Sequence, residues 1–360
     1  MPYHLGVAKT LSARESPNTN KIAKEKTPNA LYQLPIKSVS GSSSGAIAAT
    51  VMTLMPHRLE EYTERFLQDR GHAFKNLREI MLEEAVEDDI APKGLLKSSG
   101  PMLSICTTRC SDGGVELFSF GGGLNSNEES DETKKRLQKQ FYRDGEDNGD
   151  EEQEHHERLL KAIEASCRIP RSFHPIDMVA LNYKYLLDKL PNTPENTYPD
   201  EEGIVIDGKG YVDGGIAAPF PPTPLDGDLS CTGRIVVSPI AGEYFYKTDK
   251  NISNNLPQPM LKAIRPENDT SWMVPLIDSL TLSGSGRRDD DDESAPPMVA
   301  VRATPSLQNL RVLTTAMGVV SASPNDNNSA NDGKKNGGGG VLRDWYERGQ
   351  ADAHEMLNKL

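Results

Sequence analysis

The sequence contains few cysteines, and their spacing excludes two common kinds of site. Four cysteines are spread over 360 residues, at Cys106, Cys110, Cys167 and Cys231. This number is too small for a disulfide framework in a chain of this length, and no pair has the C-x-x-C spacing of zinc and redox sites. The histidines are not spaced as metal ligands either, so we expect no metal and no other cofactor. Reduced thiols in an intracellular protein are the simplest interpretation.

Long apolar stretches are also missing. The most apolar stretch, Ala46–Met55, is about half the ~20 residues that a membrane-spanning helix needs. Mean hydropathy is −0.57 and hydrophobic residues make up 36% of the chain, which is low for a wholly compact protein. The visible start has no signal-peptide pattern. These observations predict a cytoplasmic protein without a transmembrane helix, part of which does not fold.

The net charge of −13 is concentrated in two segments. Residues 128–157 contain 12 acidic and 5 basic side chains, and residues 287–293 contain 5 acidic and 2 basic ones. These segments contribute −7 and −3, so the rest of the chain carries only −3. Acidic segments without hydrophobic periodicity are typical of solvated, disordered insertions. No basic stripe accompanies them, which argues against a nucleic-acid partner.

A Gly-x-Ser-x-Gly motif stands at Gly41 to Gly45. A β-type run over Ile36–Ser40 precedes it, and a helix is predicted over Ala46–Met55 after it. In a nucleophile elbow the glycines allow a sharp strand-to-helix turn that exposes the serine hydroxyl. We therefore predict that Ser43 is a nucleophile and that the N–H of Ser44 is an oxyanion donor.

A base for this serine is predicted at Asp213, which is followed by Gly214 and Gly215. The short apolar run Gly210–Val212 leads into this aspartate, and the two glycines permit the tight turn that aims its carboxylate. An unperturbed aspartate has a pKa near 3.9 and is a weak base, so the site must raise that pKa by burial. The pattern therefore predicts a Ser-Asp dyad of Ser43 and Asp213.

Two alternatives to the dyad stay open at this point. Gly-Ser-Ser-Ser-Gly also occurs in flexible linkers, although here a β-type run and an apolar helix flank it. An α/β-hydrolase triad in the order Ser, Asp, His would require His354, the only histidine after Asp213. That fold places several strands before its elbow, whereas few residues precede Ser43. The dyad is the favoured interpretation.

Local patterns predict several further elements. Helices are expected over residues 56–68, 74–86 and 159–167, and a hairpin is expected over residues 203–212 with its turn at Asp207-Gly208. We expect His155 and His156, in the acidic insertion, to be solvated. Arg109 is expected to form a salt bridge, and Cys167 is expected to pack in the wall of the site.

A series of blocks resembles the patatin-like acyl hydrolases, and within them the adiponutrin and adipose triglyceride lipase branch. The blocks are Tyr3–Ala8, Gly41–Ala49, Thr108–Gly113 with Glu116–Ser119, Ala165–Pro170, Tyr211–Pro222 and Val236–Glu243. Their common order and spacing make the resemblance specific. In that family a glycine-rich loop precedes the first helix and supplies part of the oxyanion hole. Because the chain begins at Met1, within the helix that follows this loop, we expect a truncated N-terminus.

The resemblance implies an α/β fold, with a patatin-like three-layer α/β/α core, a central and mostly parallel sheet, and disordered acidic and Gly/Asn-rich insertions. We expect the acyl hydrolase domain over residues 1–245, with a disordered insertion at about 121–153. Residues 246–360 would form a C-terminal extension with linkers at about 284–297 and 324–340 and a final helix over 342–360.

The resemblance also implies a function. It predicts a serine acyl hydrolase that cleaves fatty-acyl esters of lipids, with triacylglycerol or other acylglycerols as the first choice of substrate. A phospholipase A or lysophospholipase with the same dyad is one alternative, and a catalytically inactive scaffold on lipid surfaces is another. The expected partners are the lipid substrate and, peripherally, a membrane or lipid-droplet surface. A targeting signal could have been lost with the missing N-terminus. The implied site comprises Ser43 and Asp213, the elbow residues Gly41, Ser44 and Gly45, and the aspartate loop residues Gly214 and Gly215.

Overall fold

Helices and strands are interspersed along the chain, several of each occurring in succession. The computed structural model describes residues 1–12, 36–69, 72–87, 100–121, 149–172, 197–223, 233–246, 260–267, 299–303, 306–316 and 340–360. The described α-helices are α1 (Pro2–Ser12), α2 (Ser44–Leu54), α3 (Leu59–Gln68), α4 (Ala73–Glu87), α5 (Gly149–Ser166), the single-turn α6 (Gly214–Ala217), α7 (Leu307–Ala316) and α8 (Gly340–Asn358). The described strands are β1 (Ser38–Ser42), β2 (Met102–Arg109), β3 (Val115–Phe120), β4 (Ile204–Ile206), β5 (Lys209–Asp213), β6 (Gly233–Val237), β7 (Gly242–Tyr246), β8 (Met260–Ile264) and β9 (Val299–Ala303). Two 3₁₀ helices cover Pro56–Arg58 and Asp200–Glu202.

A five-stranded sheet is organised around β2, the longest of its strands. Strand β1 lies parallel to β2, and β3 lies antiparallel along the other edge of β2. Strand β5 lies antiparallel to β2 beyond the point where β1 ends, and β4 forms a hairpin with β5. Nearly every residue of β2 is buried, which is the pattern of a central strand covered on both faces.

Helix α2 packs directly on β1 and β2 because it is built from small and apolar residues. Small side chains let the helix axis approach the sheet closely, and α2 also contacts α1 and α5. Helices α3 and α4 extend the same core away from the sheet, and α5 packs on β2, β4 and β5. The buried side chains of this core include Ala46, Ala49, Val51, Leu59, Tyr62, Phe66, Leu77, Ile80, Met81, Leu103, Ile105, Leu159 and Ile163.

The last helix, α8, packs tightly against the first helix, α1. Their backbones come together at two glycines, because a methyl group on Gly6 would overlap the carbonyl oxygen of Tyr346 and one on Gly349 would overlap that of Tyr3. The Tyr3 hydroxyl donates a buried hydrogen bond to Asp352 Oδ2 at 2.8 Å. Residues beyond the predicted hydrolase domain therefore complete the packing of its first helix.

Two further strand pairs lie between these regions in sequence. Strands β6 and β8 are parallel, and β7 and β9 are antiparallel. Strand β8 contacts α8, and side chains of β8, α8 and α1 form a second apolar cluster. The buried members of that cluster are Tyr3, Val7, Ile264, Ala353, Met356 and Leu357.

Most of the predicted elements are confirmed, with shifted boundaries. The strand predicted over 36–40 is β1, the helix predicted over 46–55 is α2, and the hairpin of β4 and β5 turns at Asp207 and Gly208. The disordered insertion was expected at about 121–153, and α5 begins within the last residues of this range, at Gly149. Acidic residues in the first turns of a helix are stabilised by the helix dipole, so their charge does not oppose helix formation there.

The remaining predictions on insertions concern residues outside those that the structure describes. These are residues 122–148, the linker at 284–297, and the linker at 324–340 up to Gly340, where α8 begins. The α/β class is confirmed. The sequence predicted a mostly parallel sheet; the described pairs β1–β2 and β6–β8 are parallel, and the other described pairs are antiparallel.

Candidate active site

Ser43 occupies the sharp turn between β1 and α2. Its backbone has a φ of 51° and a ψ of −130°, a conformation that costs a non-glycine residue about 1–3 kcal/mol. Among the described residues, Asp207 is the only other non-glycine residue with a positive φ. The Ser43 side chain does not cap α2, so its hydroxyl is left for another partner. Gly41 is required here, since a methyl group on it would overlap the carbonyl oxygen of Gly45.

Asp213 ends β5 and contacts Ser43. Its carboxylate lies beside the Ser43 side chain, and interaction with the Ser43 hydroxyl lowers the pKa of the carboxyl. The carboxylate accepts a hydrogen bond from Gly215 N–H at 2.7 Å, and so caps the single-turn helix α6. The turn is so close to β2 that a methyl group on Gly214 would overlap the carbonyl oxygen of Cys106. The two glycines after the aspartate thus permit the turn that the sequence predicted.

Strand β2 brings Ser43 and Asp213 together although they are far apart in sequence. Ser42, the last residue of β1, pairs with Cys106, and Asp213, the last residue of β5, pairs with Thr107. Because Cys106 and Thr107 are consecutive, β1 and β5 meet end to end along one edge of β2. The antiparallel direction of β5 is essential, since it points the C-terminal end of β5 at the C-terminal end of β1.

Burial raises the pKa of Asp213 from 3.8 to about 6. Desolvation disfavours the charged carboxylate, and the interactions with the Ser43 hydroxyl and the Gly215 N–H only partly offset this effect. The residue is 5% exposed, so little water reaches the carboxylate. A carboxylate with this pKa is still mainly ionised at pH 7, and it is a stronger base than an exposed aspartate.

The backbone of Ser43 is bound on both sides by the end of α5. Ser166 Oγ accepts a hydrogen bond from Ser43 N–H at 2.9 Å and donates one to the Cys106 carbonyl oxygen at 2.6 Å. The Cys167 thiol donates a hydrogen bond to the Ser43 carbonyl oxygen at 3.2 Å. Both polar groups of a strained residue are therefore satisfied by two consecutive side chains.

The backbone of Asp213 is bound in the same way. Its N–H donates a hydrogen bond to the Arg168 carbonyl oxygen at 2.9 Å. Its carbonyl oxygen accepts one from Thr108 Oγ1 at 2.7 Å, and Thr108 Oγ1 accepts one from Ala217 N–H at 3.1 Å. Sequence reasoning assigned no role to Thr108 or to Ser166. The only signal for either residue was its position in a block of the family resemblance, Thr108–Gly113 for Thr108 and Ala165–Pro170 for Ser166.

The N-terminus of α2 lies at the candidate nucleophile. The first N–H groups of a helix have no carbonyl partner within the helix and carry the positive end of its dipole. Ser44 N–H belongs to this first turn, so it is placed to donate to an oxygen that becomes negative beside Ser43. Ser43 N–H does not serve this purpose, because Ser166 already binds it.

Three histidines bear on the sequence predictions. His354, required by the triad alternative, is exposed on α8. His4 on α1 lies beside the elbow, with its Nε2 3.9 Å from the position that a Cβ on Gly45 would occupy. Burial lowers the pKa of His4 to about 3, so the ring is neutral at pH 7. The prediction that His156 is solvated was wrong: it is buried on α5, because the helix begins before it and turns it toward the core.

Three of the four cysteines and Arg109 take the structural roles that were expected, and Cys231 lies outside the described residues. Cys106 and Cys110 are buried, Cys167 is half-buried, and none of these three forms a disulfide. Burial and the Asp213 carboxylate raise the pKa of Cys106 and of Cys167, so both thiols are protonated at pH 7. Arg109 forms salt bridges with Asp112 and Glu116 at 3.0 and 3.3 Å.

Two further searches cover the described part of the chain alone. Within the described residues, no group of three or more His, Cys, Asp or Glu side chains is arranged to bind a metal ion. Among the helices listed above, none is both long enough and apolar enough to cross a membrane.

Fold and site together define an α/β protein with a strained serine turn beside a buried aspartate. The model of the patatin-like phospholipase family matches residues 1–226, and the chain belongs to this family. No curated protein and no solved structure matches the chain. The members of the family are lipid acyl hydrolases, which places the chain among hydrolases that act on lipids.

Proposed function

We propose that the protein is a serine lipase that cleaves fatty-acyl esters through a dyad of Ser43 and Asp213. The observation that carries the proposal is the position of the Ser43 side chain, in its strained elbow, beside the buried carboxylate of Asp213. Family membership supports the reaction class, and the dyad accounts for the chemistry.

In the first half of the reaction, the Ser43 oxygen attacks the ester carbonyl while Asp213 accepts the hydroxyl proton. Negative charge develops on the carbonyl oxygen, where Ser44 N–H and the positive end of α2 stabilise it. The alcohol then leaves with the proton from Asp213, and the acyl group stays on Ser43. In the second half, Asp213 accepts a proton from water, the hydroxide attacks the acyl-enzyme, and Ser43 regains its proton as the fatty acid leaves.

We propose neutral acylglycerols as the substrate class, because the blocks resemble the adiponutrin and adipose triglyceride lipase branch. Phospholipids are the alternative, since the dyad determines the reaction and not the head group. Two apolar residues next to the dyad, Ile169 and Pro219, are exposed and offer contacts to lipid. Ile169 follows the residue that binds Asp213 N–H, and the Pro219 carbonyl oxygen accepts a hydrogen bond from Ser42 Oγ at 3.3 Å. A cytoplasmic protein bound peripherally to a membrane or a lipid droplet fits this substrate.

The Ser43→Ala variant of the full chain is expected to lose hydrolysis of p-nitrophenyl butyrate by roughly 1,000-fold or more and to keep its fold. It should also lose covalent labelling by a fluorophosphonate probe, which reacts with activated serines. Ser42→Ala is the matched control, because it removes a neighbouring hydroxyl that makes only an exposed hydrogen bond. Labelling that persists in Ser43→Ala would move the nucleophile to another serine.

The preferred lipid class is determined by measuring fatty-acid release from triolein emulsions and from phosphatidylcholine vesicles under matched conditions. Faster release from triolein is expected. Faster release from the vesicles supports the phospholipase alternative, and no release or labelling in any assay supports an inactive scaffold.

The pH dependence provides a separate prediction. The base must be ionised to accept the serine proton, and the pKa of Asp213 is raised to about 6. Therefore kcat/KM is expected to fall as the pH decreases through about 6, and to level off above that value. Initial rates between pH 4 and pH 8 measure this limb. A half-maximal value near pH 4 would show that the carboxylate acting as base is not buried.

A further inference from the structure

Three consecutive residues at the C-terminal end of α5, Ser166 to Arg168, contact the backbone of both members of the proposed dyad. Ser166 and Cys167 bind the N–H and the carbonyl oxygen of Ser43, and the Arg168 carbonyl oxygen binds Asp213 N–H. The direction of the contacts at Ser166 is determined, because its single hydroxyl proton is donated to the Cys106 carbonyl oxygen. Its oxygen is therefore the acceptor for Ser43 N–H.

The hydrogen bond from Ser43 N–H to Ser166 Oγ gives this N–H a partner that the sheet and the helix do not provide. Ser43 lies between the last ladder position of β1 and the first turn of α2, so neither the sheet nor the helix binds its N–H. A strained backbone conformation persists only where several surrounding contacts hold it in place. Ser166 is fully buried, so water does not replace its hydroxyl.

We propose that Ser166 is a positioning residue for the nucleophile, whose hydroxyl keeps Ser43 in the backbone conformation that directs its side chain at Asp213. The inference rests on the proposed function of the dyad and adds the residue that keeps the dyad aligned. Ser166 does not touch the reacting atoms, so its contribution lies in the geometry of Ser43.

Removal of the hydroxyl should therefore change the dyad itself. In Ser166→Ala, Ser43 N–H and the Cys106 carbonyl oxygen each lose a partner, and the elbow relaxes. We expect kcat for p-nitrophenyl butyrate to fall by roughly 10- to 100-fold, with KM nearly unchanged, because a misplaced nucleophile affects the chemical step rather than binding.

The acid limb of kcat/KM is the part of the pH profile in which activity falls as the pH decreases. A purely structural role of Ser166 would leave the pH of this limb unchanged. Interaction with the Ser43 hydroxyl lowers the pKa of Asp213, so losing that interaction should shift the limb to higher pH. Among the described residues, the thiols of Cys106 on β2 and of Cys167 after α5 interact with the Asp213 carboxylate, and both are neutral. The Met1 amino group interacts with Cys167 and with His4 beside the elbow, and burial lowers its pKa to about 5. Neither thiol titrates in this range, and the Met1 amino group is the same in every variant, so a difference in the acid limb between Ser166→Ala and a matched control reports the alignment of Ser43 with Asp213.

Ser104→Ala is the matched control. Ser104 is also a fully buried serine, it lies on β2, and its Oγ bonds to Ser119 Oγ at 2.9 Å, away from the dyad. This variant should keep the wild-type kcat and acid limb. If Ser166→Ala does not fold, Ser166→Cys is measured in its place, because a thiol keeps the shape and is a weak hydrogen-bond partner.

The outcomes separate the positioning role from the proposed function. A reduced kcat together with an upward shift of the acid limb, seen at Ser166 and not at Ser104, is the expected result. A wild-type kcat, an unshifted limb, or an equal loss in Ser104→Ala overturns the role of Ser166 while Ser43→Ala stays inactive. If Ser43→Ala is active, the proposed dyad fails, whatever the result at Ser166.

Discussion

Replacing Asp213 with asparagine is expected to remove ester hydrolysis nearly as completely as Ser43→Ala. Asparagine keeps the size of the side chain and still accepts the hydrogen bond from Gly215 N–H, so the turn into α6 should persist. What it cannot do is accept the serine proton, a step worth roughly 100- to 10,000-fold. Because the two residues act as one unit, the double variant should lose no more activity than either single variant.

His354→Ala is the control for this result. The Ser-Asp-His triad predicts that this substitution is as damaging as Asp213→Asn. The dyad predicts a small effect, since His354 is exposed on α8. An inactive and correctly folded His354→Ala protein would refute the dyad.

The Asp213→Asn substitution should also make the protein more stable above pH 6. Between pH 3.8 and about 6, the carboxyl of the unfolded chain has lost its proton while the buried Asp213 retains it, so ionisation destabilises the folded state as the pH rises. A rise of about two pKa units corresponds to at most about 3 kcal/mol at pH 8. Urea unfolding at pH 8 should show Asp213→Asn to be the more stable protein, and the difference should vanish near pH 3. Equal stability at pH 8 would mean that the charged aspartate is not desolvated.

Alanine at Gly6 or Gly349 is expected to destabilise the protein by about 1–3 kcal/mol, because the added methyl group overlaps the backbone of the partner helix. The sign of the effect is informative, since glycine-to-alanine changes within helices usually increase stability by up to about 1 kcal/mol. Urea unfolding and thermal melting measure both variants. The double variant should lose less than the two single losses together, as both methyl groups push the same pair of helices apart.

Gly45→Ala provides the comparison, since it places a methyl group in the first turn of another helix. The nearest atom to that methyl group is His4 Nε2 at 3.9 Å, which is ordinary contact, so this variant should not destabilise the protein. If Gly6→Ala and Gly349→Ala behave like Gly45→Ala, α1 and α8 do not pack as closely as described.

The features that the sequence predicted correctly have local signatures. The elbow at Ser43 combines glycines, a β-type run and an apolar helix within a short segment. The hairpin before Asp213 is set by the Asp-Gly pair that turns it. Each of these turns depends on the residues of its own segment. It can therefore be predicted without knowledge of the rest of the fold.

The features that the sequence did not predict depend on which segments meet. Ser166 and Thr108 act on main-chain groups that are distant in sequence, and nothing in their own neighbourhood indicates this. The burial of His156 depends on the helix that precedes it. The glycines of α1 and α8 resemble weak helix positions in the sequence, whereas they are the closest points of a helix pair.

The end-to-end meeting of β1 and β5 also limits how the length of this chain can vary. Side chains alternate between the two faces of a sheet, so one residue inserted or deleted in β1 or β5 would move Ser43 or Asp213 out of alignment with the Cys106–Thr107 step. The connection between β3 and α5 has no such constraint, because neither of its ends contributes a residue to that junction. Homologous sequences should therefore differ freely in length between residues 121 and 149 and keep the residue counts of β1 and β5 unchanged.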